Sequence, residues 1–143
     1  MPIKQLSIFL ENRSGRLEAI AKILEEKNID ICGLSLADTA DFGILRMIVN
    51  DTETAEAALR EKGVVLHLND VTAVAVEQKP GALAKVLAAL NDTSINVEYM
   101  YNLSEPCNGN PVLILRFSEP KVARERLRQF GCTLLNGTDL AQK

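Results

Sequence analysis

Long apolar runs are the first thing this 143-residue chain lacks: none approaches the roughly 20 residues that a membrane-spanning helix needs. The N-terminus also has neither the basic nor the apolar stretch of a signal peptide, so a cytoplasmic protein is expected. Cysteine and histidine are scarce. Cys32, Cys107 and Cys132 are odd in number, scattered and without CxxC spacing, and His67 is the lone histidine. This argues against a disulfide framework, a zinc site or any other metal centre, and the cysteines read as small buried or half-buried thiols. Positive charge is not in excess either. The formal net charge of −3 argues against a generic nucleic-acid partner. The charge is uneven, with 8 basic and 12 acidic side chains in residues 1–70 against 8 and 7 in residues 71–143. Lys121, Arg124, Arg126 and Arg128 lie close together, as a solvated helix face or a dock for an acidic partner.

What is present is a repeat. Hydrophobic residues make up 47% and charged residues 24%, the balance of a chain that folds around a core. Leu17, Ile20, Ala21 and Leu24 follow Gly15 with the spacing of an amphipathic helix, and adding 66 to each number gives Leu83, Val86, Leu87 and Leu90 after Gly81. The same shift carries Ile8 and Leu10 onto Val74 and Val76, and Ile29 and Ile31 onto Ile95 and Val97. Farther along the offset becomes 70, where Leu45-Arg46-Met47 meets Leu115-Arg116-Phe117, because residues 105–111 insert a turn-rich loop with two prolines and a glycine. It settles at 68, pairing Ala55, Leu59 and Gly63 with Ala123, Leu127 and Gly131, each glycine placed to end a helix.

Each half then reads as a βαββαβ unit. Strands are expected near 3–10, 30–37, 43–50, 64–68, 71–77, 95–103, 112–118 and 132–135, and helices near 15–27, 52–62, 81–92 and 119–130. Asp51 or Thr52 suits the cap of the second helix, and Ser118 with Pro120 the start of the fourth. The fold class expected is α+β, two tandem ferredoxin-like domains at 1–69 and 70–143, each an antiparallel sheet with helices on one face. A unit of about 70 residues has a thin core, so the two are expected to pair side by side into one eight-stranded sheet.

Two features carry chemistry. Gly15 and Gly81 open a helix directly after a strand, each three residues after a side-chain amide, Asn12 or Gln78. Such a glycine either serves the dihedrals of the turn or lets a negative group approach the exposed N–H groups and the positive end of the helix dipole; its recurrence favours binding. Asp30 and Asn96, fifteen residues after each glycine, begin the next strand. They either tie down a turn or accept hydrogen bonds from an ammonium group. Arg46 and Arg116 correspond mid-strand, where a carboxylate contact, a salt bridge and a solvated sheet face are all open readings.

Pro80-Gly81-Ala82-Leu83-Ala84, the amide three residues before Gly81 and Ile95-Asn96-Val97 resemble the ACT domain, the regulatory module of many amino-acid-metabolising enzymes. Asn12-Arg13-Ser14-Gly15-Arg16-Leu17 resembles it too, with serine in place of proline, so the likeness spans the chain as two tandem domains. It implies binding of a free amino acid where the turn of one unit meets the second strand of a neighbour. Carried onto this chain, the contacts would come from Asn12, Ser14, Gly15, Arg16 and Asp30 in the first copy. Those of the second would be Gln78, Pro80, Gly81, Ala82 and Asn96, with Tyr99 and Tyr101 either lining the side-chain pocket or packing at an interface. Gln78 and Asp30 depart from the asparagine often found at these places, and Asp30 would repel a carboxylate, which makes Gly81 the stronger corner.

No nucleophile with its base, metal cluster or carboxylate pair shows a recognisable spacing, so the chain is not expected to be an enzyme and needs no cofactor beyond an amino-acid ligand. RNA-recognition domains share the βαββαβ topology, but Gly43-Ile44-Leu45-Arg46-Met47-Ile48 and Val112-Leu113-Ile114-Leu115-Arg116-Phe117 lack their aromatic platform. The expected protein is an amino-acid sensor acting through a homodimer, or through a metabolic enzyme or regulator, without nucleic acid or membrane. The rival is a ligand-free scaffold module.

Overall fold

The computed structural model describes residues 3–11, 13–38, 42–137 and 139. The element order is β1 (Ile3–Glu11), α1 (Arg16–Glu26), β2 (Ile31–Asp38), β3 (Phe42–Val49), α2 (Thr52–Glu61) and β4 (Leu66–Ala75). It continues with α3 (Ala82–Ala88), β5 (Val97–Asn102), β6 (Val112–Phe117), α4 (Pro120–Gln129) and β7 (Thr133–Leu135). The chain divides into two compact units, one of Lys4–Asn69 and one from Asp70 onward that also takes in Ile3.

In the first unit β3 lies between β1 and β2, antiparallel to both, with Leu6 opposite Met47 and Leu36 opposite Leu45. Alternation along the strands puts Leu6, Ile8, Leu10, Leu45 and Met47 on one face, under Ile20 and Leu24 of α1 and Leu59 of α2. The second unit repeats this, with β6 between β4 and β5 and β7 on the other side of β4. Its core joins Val74, Leu113, Leu115 and Phe117 to Val86 of α3 and Leu127 of α4. The duplication extends to irregularities. Both second strands shift register at matching places, between Ile31 and Gly33 and between Val97 and Tyr99. Both second helices end in the same motif: Gly63 and Val64 donate to the carbonyls of Arg60 and Leu59, and Gly131 and Cys132 to those of Arg128 and Leu127.

Four expectations need correction. Seven strands stand among the described residues where eight were expected, so no eight-stranded sheet forms. The segments near 64–68 and 71–77 are one strand, because the polar Asn69-Asp70 step is held in extended form. Gln5, fully buried, donates to Ser7 Oγ at 2.9 Å, and Ser7 in turn donates to Asn69 Oδ1. Arg116 Nη1 donates to the Asp70 carbonyl at 2.7 Å and its Nε lies 3.4 Å from Glu98, which accounts for that mid-strand arginine. Helix α3 stops at Ala88 instead of residue 92: the N–H groups of Ala89, Leu90 and Asn91 donate three residues back, to Val86, Leu87 and Ala88, and the carbonyls that follow the helix are taken by side chains. Arg126 reaches over from α4, Nε to the Ala89 carbonyl at 3.0 Å and Nη2 to that of Asn91 at 3.0 Å, while Thr93 Oγ1 takes the Leu90 carbonyl at 2.6 Å. Ser118 does not cap α4; its hydroxyl accepts the Asn96 N–H at 3.0 Å, and Glu119 takes the cap position. Leu17 and Leu83, placed on the core stripes by spacing, are instead 45% and 42% exposed.

Other readings agree with the coordinates. Asp51 caps α2, its carboxylate accepting the Thr54 N–H at 3.2 Å and the Thr54 hydroxyl at 2.7 Å, which lowers its pKa. Within residues 105–111, Cys107 and Asn110 exchange two backbone hydrogen bonds around Asn108 and Gly109, both at positive φ, a tight two-residue turn. No helix among the described residues is long and apolar enough to cross a membrane.

Replacing Arg126 by alanine frees two carbonyls at the end of α3 and is expected to destabilise the protein by about 1.5–3 kcal/mol. Arg128→Ala, which removes only a 3.7 Å exposed pair with Glu125, is expected to cost about 0–0.5 kcal/mol. Urea unfolding of the two variants side by side checks the contrast.

Candidate functional site

The two helix-opening turns superimpose in detail. Gly15 has φ 86 and Gly81 φ 89, left-handed values that admit other residues only with strain. In the first turn Arg13 N donates to the Glu11 carbonyl, Arg16 N to that of Arg13 and Ala19 N to that of Gly15. In the second Lys79 N donates to Glu77, Ala82 N to Lys79 and Lys85 N to Gly81. No side chain caps α1 or α3, so the next N–H groups of each first turn, those of Leu17 and Glu18 and of Leu83 and Ala84, are left for solvent or a ligand. A Cβ built on either glycine meets nothing within 4 Å.

Beside each turn lies a cleft, and the clefts correspond residue for residue. The first, about 100 Å³, is lined by Leu10, Glu11, Arg13, Arg16, Leu17, Leu36 and Gly43. Shifted by 66, or by 70 for Gly43, these become Val76, Glu77, Lys79, Ala82, Leu83, Asn102 and Leu113, all of which line the second cleft of about 460 Å³. Gln78, Pro80 and Pro111 complete its wall. An acid and a base two residues apart form an ion pair in each, Arg13–Glu11 at 2.9 Å and Lys79–Glu77 at 2.8 Å. The Lys79 hydrogen bond holds the Glu77 carboxyl below its usual pKa, and the same contact raises that of Lys79. The first cleft carries a further cation, Arg16, whose Nε is shut off from solvent without a hydrogen-bond partner. Ala82 replaces it in the second.

The other candidates are placed as follows. Ser14, Gln78 and Pro80 are exposed on the turns, and Asn12 lies outside the described residues. Asp30 and Asn96 are exposed at the opposite end of their units from the glycines, one helix length away, ~16 Å for an 11-residue α1. Their backbones are pinned in matched fashion: Asn50 Oδ1 accepts the Asp30 N–H at 3.0 Å as Ser118 Oγ accepts that of Asn96 at 3.0 Å. Within a unit the fold therefore does not bring Asp30 to Gly15 or Asn96 to Gly81. Tyr99 and Tyr101 are half-buried opposite Arg116 and Ile114 of β6 and line neither the second cleft nor the cavity described below. His67 stands edge-on to Phe9, ring centres 5.5 Å apart. Of the α4 cations, Arg126 is spent on α3 and Arg128 pairs with Glu125.

Spacing alone missed the cleft walls. Glu11, Arg13, Leu17 and Leu36, with their partners Glu77, Lys79, Leu83 and Asn102, were legible only through the repeat itself, because each is ordinary in isolation.

Comparison with known proteins places this geometry. The sequence matches the ACT domain pair family over residues 1–142, and the chain belongs to that family. A solved protein from Bacteroides thetaiotaomicron is 39% identical, with 100% of this chain and 98% of that one covered and a TM-score of 0.91. The ligand-free regulatory subunit of aspartate kinase from Thermus thermophilus shares 15% identity over 91% of this chain and 93% of its own, with a TM-score of 0.62. That of Thermus flavus shares 18% over 92% of each, with a TM-score of 0.59. At those identities the aspartate kinase subunits show the fold alone. No curated protein matches the chain.

Because the space around both glycines is open, Gly15→Ala and Gly81→Ala are each expected to leave the fold intact and to cost about 1–2 kcal/mol, the strain of an L-residue in the left-handed region. Chemical unfolding measures it; a cost near zero would mean that the turn relaxes to another geometry.

Proposed function

We propose that this chain is a non-catalytic, cytoplasmic sensor of a free amino acid, whose occupancy is passed on through self-association or through a partner enzyme or regulator. The observation that carries the reading is the duplicated cleft: the same seven positions wall it in both copies, each at an uncapped helix start. Membership of the ACT domain pair family supports a regulatory role. An α-carboxylate meets free N–H groups and the positive end of the helix dipole at each turn. The exposed Leu17 and Leu83 offer apolar surface to the ligand's side chain.

The copies differ in what they offer. The second has the proline-glycine turn and the roomier cleft, which recommended Gly81 from sequence. The first has the longer helix, 11 residues against 7, and Arg16 with an unsatisfied Nε, which suit a carboxylate better. We therefore assign the carboxylate corner first to Gly15 and Arg16. Since Asp30 and Asn96 sit away from their own turns, a role for them in holding the ligand's ammonium group requires the turn of another ACT unit, and the functional form in this reading is a homodimer.

A thermal-shift panel of the standard amino acids is expected to single out one or a few ligands, since binding to the native state adds about 2.7 kcal/mol at a concentration of one hundred times Kd. Arg16→Ala is expected to weaken that ligand about tenfold or more, the loss of one charge-assisted contact. A flat response to every amino acid would sink the sensor reading and leave the scaffold role.

A further inference from the structure

A second cavity, about 160 Å³, adjoins the Gly81 cleft, sharing Val76, Glu77, Lys79 and Ala82 with it and continuing along Lys85 and Val86 of α3. Ala82, Lys85 and Val86 recur at i, i+3 and i+4 and line it, whereas Leu83 belongs to the cleft. Its wall is apolar where Val76 of the β4 end joins Ala82 and Val86, and polar where Lys85, Cys132, Thr133 and Asn110 come together. The volume is close to that of a cavity that holds benzene, about 150 Å³, so the ligand has about six non-hydrogen atoms.

The polar side of this cavity is not a requirement of the fold. Lys85, Cys132 and Thr133 correspond to Ala19, Val64 and Val65 in the first unit, where the same elements form without a polar group. Three polar side chains have been gathered around one space in the second copy only.

Charge then selects the ligand. Glu77 and Lys79 at the rim satisfy each other at 2.8 Å. Lys85 has no hydrogen bond or ion pair among the described residues and is the cation left over. It is close enough to Cys132 to oppose the rise that burial imposes on the thiol's pKa, and it also acts on Glu77. A single free positive charge, with a carboxylate nearby to repel a second negative one, suits a monoanion. The apolar wall suits a short hydrocarbon tail.

We propose that this cavity takes a short-chain monocarboxylate, its carboxylate held by Lys85 and its tail against Val76, Ala82 and Val86. It goes beyond the amino-acid reading in its ligand, which carries no ammonium group, and in its cation, Lys85, which does not line the Gly81 cleft.

Cys132 supplies the reporter. In the full chain carrying Cys32→Ala and Cys107→Ser, the rate at which iodoacetamide alkylates Cys132 is measured with propionate, butyrate and succinate, against sodium chloride at equal ionic strength. Butyrate or propionate is expected to slow labelling about tenfold at ten times its Kd, succinate much less. Lys85→Ala, an exposed helix position where alanine is well tolerated, is expected to abolish the protection, and Lys85→Arg to keep part of it. Labelling that neither monocarboxylate slows, protection that survives Lys85→Ala, or equal protection by succinate would each overturn the assignment. The thermal-shift panel separates this outcome from the sensor reading: Lys85-dependent protection without any amino-acid shift keeps this site and loses that one, and the converse pattern does the reverse.

Discussion

Each unit depends on one reversal of the chain, the left-handed glycine between its first strand and first helix. With φ near +86 and +89 at Gly15 and Gly81, the helix is sent back across the sheet face that carries Leu6, Ile8 and Leu10 or Val74. The same turn leaves the second and third N–H groups of the helix without a side-chain cap. Packing and the proposed binding thus rest on one backbone geometry. A side-chain cap would satisfy those N–H groups and stabilise the helix by about 1 kcal/mol. Its absence from both turns, while Asp51 caps α2 in the ordinary way, marks the turns as places where polar groups stay available.

Around that geometry the copies have kept backbone features and changed side chains. The strand irregularities, the glycine-terminated second helices and the pinned backbones of Asp30 and Asn96 correspond. The acceptors doing the pinning do not: an asparagine amide oxygen in one copy is a serine hydroxyl in the other. Arg126 takes two carbonyls just beyond the end of α3, and the residue 68 places earlier is Ala58, which cannot do so after α1. The divergence is concentrated in polar groups that touch helix ends and cavities, not in the apolar cores.

This explains what could be read from the sequence and what could not. Apolar spacing of period two and period 3.6 reports burial, and it located the elements, the duplication and the glycine turns. It misjudged Leu17 and Leu83, which continue the helical stripe but fall beyond the edge of the sheet at the mouth of a cleft. It also broke β4 at Asn69-Asp70, because the hydrogen bonds from Ser7 and Arg116 that hold those residues extended come from far along the chain. Ser118 looked like a helix cap for the same reason, its true partner Asn96 being 22 residues away. The distance from Asp30 to Gly15 was legible in principle: a right-handed strand-helix-strand crossover starts both strands at the same end, so a residue opening the second strand lies opposite the turn that closes the first.

In the proposed reading, a duplicated cleft whose copies have drifted apart in charge is suited to unequal occupancy. The first cleft combines one ion pair with Arg16 and is net positive; the second has the ion pair alone and is neutral. Their affinities for one anionic group then differ by the worth of a charge-assisted contact, about 1.5–3 kcal/mol, or roughly tenfold to a hundredfold. On the sensor proposal, the first site would fill over that interval of concentration while the second stayed empty. A pair of identical clefts would respond within a single narrow range, whereas this pair would spread the response, with the divergence at Arg16 and Ala82 setting its width.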